Sequence, residues 1–124
     1  MARQIRITAG EVSAVATLND TKMADLIWDA CPISSVAKTW GDEIYFDTSV
    51  VSEGENAQAT VALGDLAYWP PGQAFCIFFG PTPMSSGTEI RPASPVTVFG
   101  QVEGDATVFK AVRGGVPIVV ERVA

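Results

Sequence analysis

The chain has 124 residues, 48% hydrophobic and 18% charged, with 14 acidic against 8 basic side chains and no histidine. This length predicts one domain, 1–124, that buries its own core without a disulfide or metal staple; the missing histidine removes the usual general base, the commonest metal ligand and every Ser–His or Cys–His nucleophile pair. A formal charge of −6 with no Lys/Arg cluster argues against a phosphate-tracking surface, so nucleic acid is not an expected partner.

The 33 Val, Ile and Thr residues against 4 Leu predict a mainly β domain. The N-terminus, Met1-Ala2-Arg3-Gln4, carries no apolar leader, and no run approaches a membrane span; a cytoplasmic protein with no membrane partner is expected. Arg3 to Leu18 alternates as a hairpin broken at Ala9-Gly10-Glu11. Met23, Leu26, Ile27 and Ala30 then repeat at helical spacing after Asn19-Asp20-Thr21, and Pro32 ends the helix. Strands are predicted near Ser35–Thr39, Glu43–Phe46, Gln58–Leu63, Leu66–Trp69, Phe75–Phe79, Val96–Val102 and Ile118–Val123. A second helix is predicted from Asp105 to the Gly114-Gly115 stop. Loops fall at Val51–Asn56 and at Pro81–Pro95, which holds four prolines in fifteen residues. About eight strands and two helices predict a closed or nearly closed antiparallel barrel, with an α+β sandwich as the rival.

Eight of the eleven aromatics lie between Trp40 and Phe79. A small barrel is filled mostly by aliphatic side chains, so some of these rings are expected on an outer face or groove. Alternation along Glu43–Phe46 puts Ile44 and Phe46 on one face and Glu43 and Tyr45 on the other. The neighbouring carboxylates of Asp42 and Glu43 do not converge, and Gly41-Asp42 reads as a turn. Tyr68-Trp69-Pro70-Pro71-Gly72 ends a strand in two amphipathic rings and a rigid turn, with Gly72 expected to take a conformation other residues resist. Thr82, Ser85 and Ser86 lack an activating base and read as turn residues. Gly80 and Gly114-Gly115 lack phosphate-loop spacing. Cys31 and Cys76 look like buried structural thiols rather than a disulfide. No cofactor or metal is expected.

Val96-Thr97-Val98-Phe99-Gly100-Gln101-Val102 with the helix after it, and Phe78-Phe79 after Gly72-Gln73, resemble the corresponding stretches of cyclophilins. Thr39-Trp40-Gly41-Asp42-Glu43-Ile44-Tyr45-Phe46 and Gly64-Asp65-Leu66-Ala67-Tyr68-Trp69-Pro70-Pro71-Gly72 are similar to the small prokaryotic cyclophilin-like family of uncharacterised proteins, over nearly the full chain. The resemblance implies a closed antiparallel eight-stranded cyclophilin-like barrel with two short helices. It does not imply prolyl isomerase activity. Cyclophilins use an arginine, a tryptophan and a histidine around the prolyl substrate; here 35–46 has Lys38 but no Arg, 81–95 has no Trp, and His is absent. Phe79 alone carries over, as the floor of the proline pocket, and Trp69 stands where cyclophilins have a small residue.

Three functions follow for this sequence. The first is a binding module whose outer groove, lined by Trp40, Glu43, Tyr45, Tyr68, Trp69 and Phe79, takes a peptide or small organic ligand. The second is a weak or atypical peptidyl-prolyl isomerase, resting on fold resemblance alone. The third is an enzyme of another class with Glu43 as general base. The sequence leaves open a homo-oligomer, with 81–95 pairing across subunits or closing over the groove.

Overall fold

A computed structural model describes residues 3–123; Met1 and Ala2, named above in the reading of the N-terminal segment, lie outside the described residues. The elements in chain order are β1 (Gln4–Ala9), β2 (Val12–Leu18), α1 (Lys22–Ala30), β3 (Ile33–Val36), β4 (Lys38–Thr39), β5 (Glu43–Asp47), β6 (Asp65–Trp69), β7 (Ala74–Phe78), β8 (Thr97–Val102) and β9 (Pro117–Arg122). A 3₁₀ turn at Pro70–Gly72 joins β6 to β7, and a 3₁₀ helix, Ala106–Ala111, follows β8.

Strands pair antiparallel in the order β3-β9-β1-β2-β8-β6-β7-β5-β4. The two ends of that order are neighbours in sequence. β3 pairs with β9 and β4 with β5, and between them Ala37 donates its N–H to the Val116 carbonyl at 2.9 Å and accepts from the Gly115 N–H at 2.8 Å. Residues 33–39 are therefore one bent strand that changes partner at Ala37 and joins the sheet into a nearly closed barrel. Counted as one, they bring the nine hydrogen-bonded segments to the eight expected, and what reads as one strand at Ser35–Thr39 is its broken second half.

The barrel interior is filled by residues alternating along each strand, including Ile5, Ile7, Ile44, Leu66, Ile77 and Val120. Phe46 stacks on Phe75 at 4.7 Å between centroids, and Phe75 meets Phe99 edge-on at 4.9 Å. Each such buried ring contributes roughly 1.5–3 kcal/mol of burial free energy. Helix α1 buries Met23, Ala24 and Ile27 against the core. Its first turn is capped twice: Thr21 Oγ1 accepts from the Ala24 N–H at 3.1 Å, and the Glu55 carboxylate accepts from the Met23 N–H at 2.8 Å. Trp28 is flanked by the guanidinium groups of Arg3 and Arg122, 5.3 and 4.8 Å from its ring.

Two sequence expectations are corrected. Gln58–Leu63 forms no strand; it contributes isolated bridges, Gln58 to Val96 and Val61 to Ile90. The segment lies outside the barrel, Gln58, Ala59, Thr60, Ala62 and Leu63 are exposed, and without a buried alternating face nothing fixes a register. The second helix begins at Asp105 as predicted, with its carboxylate accepting from the Thr107 N–H at 2.9 Å, but it is a 3₁₀ helix of six residues. Its task is to seat Phe109 beside Phe79, 6.2 Å between ring centroids, at the edge of the core.

Candidate functional site

Alternation produces a second apolar layer on the outside of the barrel. On β5 the core takes Ile44 and Phe46, so Glu43 and Tyr45 point outward; on β6, Leu66 and Tyr68 point inward and Ala67 and Trp69 outward; on β7, Phe75 and Ile77 point inward and Ala74, Cys76 and Phe78 outward. Glu43 stands opposite Phe78, Tyr45 and Ala67 opposite Cys76, and Trp69 opposite Ala74. Between the rings of Tyr45 and Trp69 the sheet thus presents only Cys76, Ala74 and Ala67. Small side chains between large ones leave a hollow.

The chain between β7 and β8 covers that hollow. Thr82 and Ser85 tie this loop together: the Ser85 hydroxyl accepts from the Thr82 and Arg91 N–H groups at 2.9 and 3.1 Å, and the Thr82 hydroxyl donates to the Arg91 carbonyl. These hydroxyls are turn residues, as read from the sequence. The loop is pinned to the barrel where Trp69 Nε1 donates to Ser94 Oγ at 2.6 Å. The result is a cavity of about 260 Å³ walled by Trp40, Tyr45 and Trp69, with Pro92, Ala93 and Val96 opposite and Glu43 among them.

Each wall is held from behind. Trp40 and Glu43 exchange backbone hydrogen bonds of 2.9 and 3.2 Å across the two-residue turn Gly41-Asp42, with Gly41 at φ +61°. Asp42 turns away from Glu43 to Lys110, at 3.6 Å. Lys38 lies over the Tyr45 ring, 5.7 Å from its centroid, and pairs with Asp47 at 3.5 Å. The role expected of Gly72 is corrected: the left-handed residue of that turn is Gln73, at φ +49°. Gly72 is needed for space, since a Cβ there would come within 2.7 Å of the Trp69 ring.

Glu43 is the chemical centre of the cavity. Its residue is 6% exposed, and Oε1 is the only buried side-chain polar atom among the described residues without a hydrogen-bond partner. Burial pushes its carboxyl up to about 7, against the smaller opposite effect of a hydrogen bond with the Cys76 thiol. Cys76 is raised well above its ordinary value by burial, and further by the Glu43 charge and hydrogen bond. At neutral pH the site therefore holds a carboxyl poised between its two forms beside a neutral thiol. No group of His, Cys, Asp and Glu among the described residues has the arrangement of a metal site.

Four of the six predicted groove residues, Trp40, Glu43, Tyr45 and Trp69, meet in this cavity. Tyr68 and Phe79 do not. Tyr68 is wholly buried on the core side of β6, its hydroxyl donating to the Val50 carbonyl at 2.6 Å, and Phe79 packs in the interior beside Phe109. Tyr68 is excluded by the alternation that exposes Trp69. Sequence reasoning missed Pro92, Ala93, Val96, Ser94 and Cys76. The pairing of Phe75 and Ile77 with the core would have turned Cys76 outward, but no sequence periodicity announces where the 81–95 loop lands.

The fold is that of a cyclophilin-type barrel, with a cavity of about 260 Å³ on its outer face. The family model described as Cyclophilin-like matches residues 3–121, and the chain belongs to that family. It is similar to the hypothetical protein AF2241 from Archaeoglobus fulgidus, known from a solution structure: 43% identity, 98% of this chain and 95% of that one covered, TM-score 0.85. McbB, solved in complex with tryptophan, shares the fold at 15% identity and TM-score 0.73; the match covers 95% of this chain and 44% of McbB. No match is found among curated proteins. No helix of the described residues is long and apolar enough to cross a membrane.

Proposed function

We propose that this domain is a binding module for a small organic molecule, held in the cavity between Trp40, Tyr45 and Trp69 with its polar group on Glu43. The observation that carries this reading is the unpartnered Oε1 of a buried carboxyl among three aromatic walls. A buried acceptor left unpaired costs about 1–3 kcal/mol, which a ligand donor recovers. The cavity lies slightly below the range of about 300–1,000 Å³ usual for ligand pockets, with Pro92 and Ala93 in its lining. Of the two ligand classes expected for the groove, this favours a small molecule over a peptide. That McbB, of the same fold, was solved with a small molecule is consistent with this choice.

A second reading has its own support. A general base works best with its pKa near the operating pH, and burial brings Glu43 to about 7; the same cavity could bind a substrate and take a proton from it. Prolyl isomerase activity loses its one carried-over residue, because Phe79 sits in the core.

The test is a fragment screen read by the indole N–H signals of Trp40 and Trp69. Fragments that shift both in the wild type and lose affinity at least tenfold in Trp69→Ala support the proposal; fragments that bind equally to both proteins without moving either indole refute it. Exchange NMR of Xaa-Pro peptides is expected to show no acceleration of an isomerisation that takes tens of seconds uncatalysed.

A further inference from the structure

Resting on the small-molecule reading of this cavity, we infer that its ligand is an organic cation, a free small amine whose ammonium group sits on the Glu43 carboxylate between the faces of Trp40, Tyr45 and Trp69. Three features converge on that chemistry. The first is the orphaned Oε1, which accepts hydrogen bonds when the carboxyl is ionised and faces no donor in the protein. The second is the wall. Tryptophan and tyrosine rings present negative π faces, and a desolvated cation beside them gains about 2 kcal/mol or more.

The third is the charge of the lining. None of the cavity residues is basic. Lys110 pairs with Asp42, and Lys38, over the Tyr45 ring, pairs with Asp47. An anionic ligand would meet the Glu43 carboxylate with no cation in the lining itself to compensate it. A neutral ligand could donate a hydrogen bond to Oε1 but would leave the ring faces with only dispersion contacts. An ammonium group satisfies both, and the mutual attraction of opposite charges holds Glu43 in its ionised form.

The size of the cavity argues for a free amine over a lysine side chain on a protein. Pro92 and Ala93 line it together with the rings, and the Trp69–Ser94 hydrogen bond fastens their loop to the barrel. A small amine fits within about 260 Å³, whereas a side chain must bring its backbone up against the mouth.

Benzylamine, benzyl alcohol and benzoate, nearly isosteric and differing in charge, are suitable probes, with acetyl-Ala-Lys-Ala-amide as a peptide-borne ammonium. Their affinities are read from the Trp40 and Trp69 indole signals. Benzylamine is expected to bind at least tenfold tighter than benzyl alcohol, with benzoate weakest and the peptide weaker than benzylamine. Glu43→Gln is expected to bring benzylamine to the level of the alcohol while the alcohol changes little. Benzyl alcohol or benzoate binding as tightly as benzylamine to the wild type would overturn the cation preference and leave the small-molecule cavity standing. Tighter binding of the lysine peptide would overturn the free-amine assignment. Failure of every probe to move either indole would overturn both the inference and the reading beneath it. The wild-type series decides the matter even if the variant folds poorly.

Discussion

Glu43 on β5 and Cys76 on β7 are diagonal neighbours on the outer face of the barrel, two ladder positions apart, and burial raises both the carboxyl and the thiol. A carboxyl raised in the folded protein makes folding take up a proton, so the stability it contributes is complete below its ordinary value of 4.5 and is lost as pH rises through about 7. The difference corresponds to about 3 kcal/mol at most. Glu43→Gln has no charge to bury. It is expected to match the wild type near pH 4 and to exceed it by up to about 3 kcal/mol near pH 9. Urea denaturation of both proteins at the two pH values measures this, and a pH-independent difference between them would contradict it.

Gly72→Ala tests how Trp69 is held. The new methyl group would overlap the indole ring, and Gly72 does not have a left-handed φ, so the ring must move and the backbone need not. The Trp69 indole signal is expected to shift and bound ligand to weaken roughly tenfold, a loss of about 1.4 kcal/mol. An unchanged spectrum would mean that the turn does not position the ring.

Tyr68→Phe separates the core tyrosine from the cavity tryptophan beside it. Removal of the hydroxyl leaves the Val50 carbonyl without its donor, and a loss of about 1–3 kcal/mol is expected from thermal or urea unfolding. Ligand affinity should stay within about twofold, less than 1 kcal/mol. A large affinity loss with unchanged stability would place Tyr68 in the site after all.

Glu55→Ala removes the distant cap of α1. The Met23 N–H loses its carboxylate partner, and the negative charge leaves the positive end of the helix, at a cost of about 1 kcal/mol. Faster hydrogen exchange in the first turn of α1 would report it; an unchanged exchange rate would show that Thr21 suffices alone.

The barrel was legible in the sequence because period-two alternation and Gly/Pro punctuation are local signals. Glu43–Phe46, Leu66–Trp69 and Phe75–Phe79 each appear within one residue of their predicted ends, and the faces of Glu43 and Tyr45 follow directly from Ile44 and Phe46. The helix at Lys22–Ala30 was legible from its apolar spacing and its Pro32 stop. Long-range contacts were not. The burial of Glu43 depends on a loop forty to fifty residues away, the cap on Met23 comes from Glu55, and the turnover of partners at Ala37 is decided by β9 and β5 together. Tyr68 and Phe79 were misplaced because an aromatic ring suits a core and a groove equally, and only its parity along the strand against neighbours of known facing separates the two.

The two loops outside the barrel are stitched to each other and to α1. Glu55 exchanges hydrogen bonds of 2.9 and 2.8 Å with the Thr97 hydroxyl while its carboxylate caps α1, and Gln58 pairs with Val96, a wall of the cavity. The loop that carries Val96 and the first turn of the helix are thereby joined through Glu55 and Thr97. A molecule bound in the cavity is expected to slow amide exchange at the start of α1, so occupancy could be followed from residues that never touch the ligand.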